Sequence, residues 1–153
     1  ATCYSLLAFI CGACIALQAA MNSQLAIQLQ SVLKATCYAF FASFVLTSIV
    51  AATLSTPLPA KALASTPWYL WFSFILSVVG VASMYFLIPK LGAGNAITIA
   101  LCGQVIFALL ISHFGWFASP VKYLTLTKVS GLIFMLLGLY LINRQTKWDK
   151  VNR

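Results

Sequence analysis

Five apolar runs, each long enough to cross a bilayer as a helix, take up most of the chain. The hydrocarbon core of a membrane is about 30 Å thick and a helix rises about 1.5 Å per residue, so a span needs about 20 mainly apolar residues. Such runs lie at 4–29, 32–54, 68–88, 95–112 and 126–142. The stretch 55–67 (STPLPAKALASTP) reads as a Pro/Ser/Thr loop. Pro89-Lys90-Leu91-Gly92-Ala93-Gly94 reads as a tight helix stop, after which Asn95 is expected to cap the fourth helix. His113-Phe114-Gly115-Trp116-Phe117-Ala118-Ser119-Pro120 closes the fourth run, and Asn143-Arg144 closes the fifth. The 153 residues are therefore expected to form one transmembrane domain, 1–153, ending in a basic tail, 143–153.

Composition agrees. Hydrophobic residues make up 63% of the chain and charged ones 7%, against roughly 45–50% and about 25% in a soluble domain. So little charge cannot coat a water-soluble globule. The net charge of +8 does not indicate nucleic acid, because Lys34, Lys61, Lys90, Lys122 and Lys128 stand singly between apolar runs. Only Arg144, Lys147, Lys150 and Arg153 cluster, and they follow the last span. Trp68, Trp71, Trp116 and Trp148 stand at span ends, where indoles favour the membrane interface.

Five spans place the two ends on opposite sides. One side carries Lys61, Lys122 and Lys128; the other carries Lys34, Lys90, Arg144, Lys147, Lys150 and Arg153. Positive residues favour the cytoplasm, so the carboxyl end is expected inside.

The chemistry available within the spans is defined by an absence. The single acid is Asp149, in the tail, so no span contains a carboxylate. Proton-coupled pumps commonly bind substrate and proton in turn at such a group. Here only neutral polar groups remain. Gln18 and Asn22 lie four apart on one face of the first span, and Gln104 lies midway along the fourth between Ala100 and Ala108. Such amides either bond between helices or line a polar cavity. In the second case they would hold a neutral or zwitterionic substrate, with Tyr85 adding an aromatic wall. His113 stands at a span end, where it could be structural or take part in gating. Gly131 and Gly138, seven apart on the last span, are candidates for a subunit contact. Cys11 and Cys14 form a C-x-x-C, a redox signature in other settings. Inside an apolar run, however, cysteine behaves as a small hydrophobe. No metal site and no cofactor is implied.

Three segments carry a family resemblance: Gln18-Ala19-Ala20-Met21-Asn22-Ser23-Gln24-Leu25, Pro89-Lys90-Leu91-Gly92-Ala93, and Gly103-Gln104 followed by His113-Phe114-Gly115-Trp116-Phe117. In this order they resemble the small, half-size YdcZ-type, EamA-like branch of the drug/metabolite transporter superfamily, over essentially the whole chain. The resemblance implies an all-α integral membrane protein of five transmembrane helices. These would form one repeat of the kind that longer relatives carry twice in inverted orientation, completed by dimerisation. The family pattern has an acid before the histidine, where this chain has Ser112.

An odd number of spans reaches the same architecture by another route. A single copy can build an inverted-repeat path only if two chains insert in opposite orientations. The expected protein is thus a bacterial inner-membrane transporter, a homodimer, expected antiparallel, whose partners are the lipid bilayer and a small-molecule substrate. Uniport or exchange is expected in place of carboxylate-based proton antiport. The rival readings are a non-transporting subunit that regulates a partner, and a thiol redox enzyme using Cys11 and Cys14.

Overall fold

A computed structural model describes the backbone of residues 2–151 and the side chains of residues 2–144; Lys147, Trp148, Lys150 and Arg153 lie outside the described side chains. Six helices follow in order: α1 (Thr2–Gln28), α2 (Val32–Leu54), α3 (Ala60–Ser65), α4 (Ser73–Leu91), α5 (Ala93–Phe114) and α6 (Leu126–Val151). Short 3-10 turns at Trp68–Phe72 and Trp116–Ala118 precede α4 and follow α5. No strand occurs among the described residues. Five segments are long and apolar enough to cross a membrane: Thr2–Gln28, Val32–Leu54, Trp68–Leu91, Ala93–Phe114 and Leu126–Arg144.

These spans meet the expected ones to within a turn, and the differences have local causes. The loop 55–67 contains α3, begun at Pro59, whose fixed φ suits a helix start. Pro89 does not stop α4 but sits inside its last turn, where it removes one backbone donor. The break falls instead on Gly92 alone, at φ +84° and ψ 147°, a backbone state that side chains exclude. Gly92 is therefore the residue that starts α5. Asn95 lies inside the helix, and its amide donates back to the Leu91 carbonyl at 3.1 Å. Helix α6 continues through most of the basic segment, to Val151.

The chain divides into two compact units, Ala1–Lys90 and Leu91–Arg153. In the first, α1 and α2 form an antiparallel hairpin across residues 29–31. Gln30 adopts the left-handed conformation (φ 51°), and the Ser31 amide reaches back to the Ala26 carbonyl at 3.0 Å. This is the bonding of a helix C-terminal motif that usually places glycine at that position. Ser31 then caps α2, its Oγ accepting from the Lys34 amide at 3.3 Å.

The core of this unit gathers beside that turn. Ala26, Ala35 and Tyr85 are buried together, with Leu25, Val32, Ala39, Val81 and Met84 packed around them. Ala35 has no exposed surface. Small residues here bring the backbones of α1 and α2 close, which suits helices that associate without a hydrophobic drive. Toward the opposite end, the first half of α1, the second half of α2 and the start of α4 are exposed throughout. At the end of α4, the Lys90 ammonium lies 3.7 Å from the Phe86 ring centre.

In the second unit α5 packs against α6. Among its described residues Ala96 and Cys102 are buried. The segment between the helices folds back on the end of α5: the Lys122 amide donates to the Ser112 carbonyl at 2.9 Å.

Candidate functional site

Within the first unit, α1 and α4 are joined by one polar contact between side chains. The Asn22 amide Nδ2 donates to the Tyr85 hydroxyl at 2.9 Å. Asn22 stands six residues before the end of α1, and Tyr85 six residues before the end of α4. Each is thus about 9 Å from its helix end, which puts the two groups at matching depth on helices that run in the same direction. Tyr85 is 2% exposed, with its ring packed on α1 and α2. Beside it Ser23 is buried as well. The bond fixes the amide plane. One of the two Asn22 N–H groups is engaged, which leaves its carbonyl oxygen as an acceptor.

The other two amides differ. Gln18, one turn before Asn22 on α1, is exposed, and so is Gln104 on α5. Neither makes a hydrogen bond to any described residue. Gln104 lies eleven residues from the start of α5 and ten from its end, near the middle of the span. Gln18 lies ten residues before the end of α1. The structure thus joins Asn22 to Tyr85, whereas Gln104 belongs to the second unit.

In that unit His113 is half-buried in the last turn of α5. Its Nδ1 accepts from the Leu124 amide at 3.3 Å, and its ring meets Tyr123 edge-on at 5.9 Å. On α6, Gly131 is exposed and Gly138 half-exposed. A side-chain carbon built at either position would meet nothing within 4 Å. Cys11 and Cys14 are free thiols exposed on α1. No group able to hold a metal occurs among the described residues.

Sequence reasoning found the three amides but not the bond between Asn22 and Tyr85. The expected span ends put the two residues at unequal depths, and the match appears only with the observed ends of α1 and α4. It also missed the contacts of Leu124 and Lys122 with the end of α5. Nothing in the residue types marks a backbone donor.

Five helices long and apolar enough to cross a membrane, with no carboxylate in them, define a multi-pass membrane protein. Residues 3–141 match the family described as "Putative inner membrane exporter, YdcZ", and the chain belongs to that family. It is a multi-pass protein of the bacterial inner membrane. No curated protein and no solved structure matches it.

Proposed function

We propose that the protein moves a small neutral or zwitterionic metabolite by alternating access, as a homodimer of antiparallel chains, by uniport or exchange. The observation that carries this reading is the polar equipment of the spans: Asn22 held by Tyr85, with Gln18 and Gln104 exposed and making no hydrogen bond to a described residue. An amide facing lipid without a partner is unfavourable, so these two groups call for water, a substrate or a second protein surface. A substrate path between two copies supplies all three.

In this reading Gln18, Asn22 and Gln104 supply hydrogen bonds to the substrate. Tyr85 acts through Asn22, setting the direction in which the amide carbonyl points. Amides match donors and acceptors without fixing a net charge, which suits a neutral or zwitterionic cargo. The absence of a carboxylate in the spans leaves no acid to exchange a proton for substrate. Gly131 and Gly138 on α6 offer a surface where a second backbone could approach closely, and His113 contributes at one membrane face.

The test is flux in proteoliposomes across a panel of neutral and zwitterionic metabolites, with Gln104→Leu and Asn22→Leu beside the native protein. At least one compound should move through the native protein, without response to a collapsed proton gradient. Both variants should lose most of that flux. No flux for any compound, or equal flux through the variants, overturns the reading. Reporter tags on the carboxyl end that signal from both sides of the membrane support antiparallel chains; a signal from one side alone removes that part.

A further inference from the structure

The segment 115–125 is a short strap folded over the end of α5, and its geometry is costly. Gly115 (φ +65°), Phe117 (φ +56°) and Ala118 (φ +56°) are all left-handed. For the two residues with side chains this conformation is unfavourable, because Cβ crowds the following carbonyl. Such conformations persist only where surrounding contacts over-determine them. The contacts that hold the segment include four. The Lys122 amide donates to the Ser112 carbonyl, and the Ser119 amide donates to the Trp116 carbonyl at 3.1 Å. Trp116 stacks on Phe114 at 5.3 Å between ring centres. The Leu124 amide donates to His113 Nδ1.

Only the last of these depends on protonation. Nδ1 can accept while the ring is neutral with its proton on Nε2. A proton taken from water onto Nδ1 turns the acceptor into a donor, which then faces the Leu124 N–H. We propose that 115–125 is a proton-released strap, latched by neutral His113 and freed when the imidazole is charged.

Lys122 is on the strap itself. Lys128, in the first turn of α6, donates from Nζ to the Tyr123 carbonyl at 3.0 Å. Tyr123 is the remaining titratable group against the ring. The 3-10 turn Trp116–Ala118 carries none, and on α5 the other titratable side chain is Cys102. Farther along α6, Tyr140 and Arg144 come at least twelve residues after Lys128, about 18 Å or more away. No carboxylate lies among the described side chains. The described side chains thus offer an imidazolium no carboxylate partner. Protonation removes the acceptor of the latch, and the stored backbone strain favours release.

Release lengthens the tether between α5 and α6 at one membrane face. Its bearing on transport rests on the function proposed above; the strap itself does not, so its test reads no flux. The experiment is hydrogen exchange over 115–125 for the full chain in lipid nanodiscs. Mildly alkaline and mildly acidic buffers are compared across the range in which imidazole titrates, with intrinsic exchange rates corrected for pH. In the native protein, protection at Leu124 should fall about tenfold on acidification, the size of one net hydrogen bond. His113→Asn places a carbonyl oxygen near the position of Nδ1 without a titrating group, and should stay protected in both buffers. His113→Phe should be unprotected in both. Native protection that ignores pH, a native-like loss in His113→Asn, or full protection in His113→Phe each overturns the proposal.

Discussion

The chain contains two antiparallel helix hairpins that reach fixed geometry by opposite means. The α1–α2 hairpin turns in three residues, and its first buried residues lie beside the turn: Ser23, Ala26, Ala35 and Thr36. The α5–α6 hairpin turns across 115–125, where no residue is buried. Its order comes from backbone bonds to Ser112 and His113 and from stacked rings. Packing of small side chains has no titratable part and exchanges little with water. Bonds at an interface compete with water and can be switched by a proton. One hairpin is thus suited to hold a polar pair in place, and the other to respond to its surroundings.

The largest expected effect tests the packed hairpin. Tyr85 fills the space between α4 and the α1–α2 pair, so Tyr85→Ala leaves both a cavity and an unpartnered Asn22. The expected loss is about 3–5 kcal/mol, the range for removing a large core ring. Tyr85→Phe keeps the ring and removes the bond, and should cost about 0.6 kcal/mol, typical of one interhelical bond in a membrane protein. Unfolding by an SDS titration from mixed micelles reads both. Near-equal losses would mean that the ring is not the support, and that the packed hairpin does not differ from the strapped one in kind.

The spans were legible because lipid demands unbroken apolar length, and length can be counted along a sequence. The sites were legible only in part, and the reason is physical. These helices are apolar on nearly every side, so no stripe of polarity shows which face meets another helix. Gln18 and Asn22 share a face by spacing, yet one is exposed and the other half-buried and bonded to α4. That difference depends on where α4 lies, 63 residues along the chain. The strap was hidden for another reason. Each of its hydrogen bonds to α5 has a backbone amide as donor, which every residue but proline carries, and the residue types do not mark which amide is used. Pro89 shows the converse error: a residue that usually ends a helix was accommodated in its last turn, while Gly92 made the break.

The next effect tests the strapped hairpin. A methyl group added at Gly115 would lie 2.7 Å from Val121 Cγ2 and would sit on a left-handed backbone. Gly115→Ala is therefore expected to destabilise the corner by about 1–2 kcal/mol. In hydrogen exchange the loss should be confined to 115–125, leaving the α1–α2 hairpin unchanged. Val121→Ala in the same chain removes the clash but not the backbone cost, so it should restore only part of the protection. Complete restoration would show that the left-handed conformation costs nothing there, and would take the stored strain out of the account of the strap.

The smallest effect has the opposite sign and returns to the first hairpin. Gln30 holds φ +51° at a position where glycine is the usual residue, and its side chain makes no hydrogen bond among the described residues. Gln30→Gly removes a left-handed cost of roughly 1–2 kcal/mol, partly offset by about 0.5–1 kcal/mol from the greater freedom of glycine in the unfolded chain. The net expectation is a gain of about 0.5 kcal/mol, read as a later midpoint in the same SDS titration. The bond from Ser31 to Ala26 should survive, because it needs only the backbone. A loss of stability in Gln30→Gly would mean that the glutamine side chain supports the turn. The α1–α2 hairpin would then depend on a polar side chain at the membrane surface, as the α5–α6 hairpin does on His113, and the contrast between packing and bonding would narrow to the buried alanines alone.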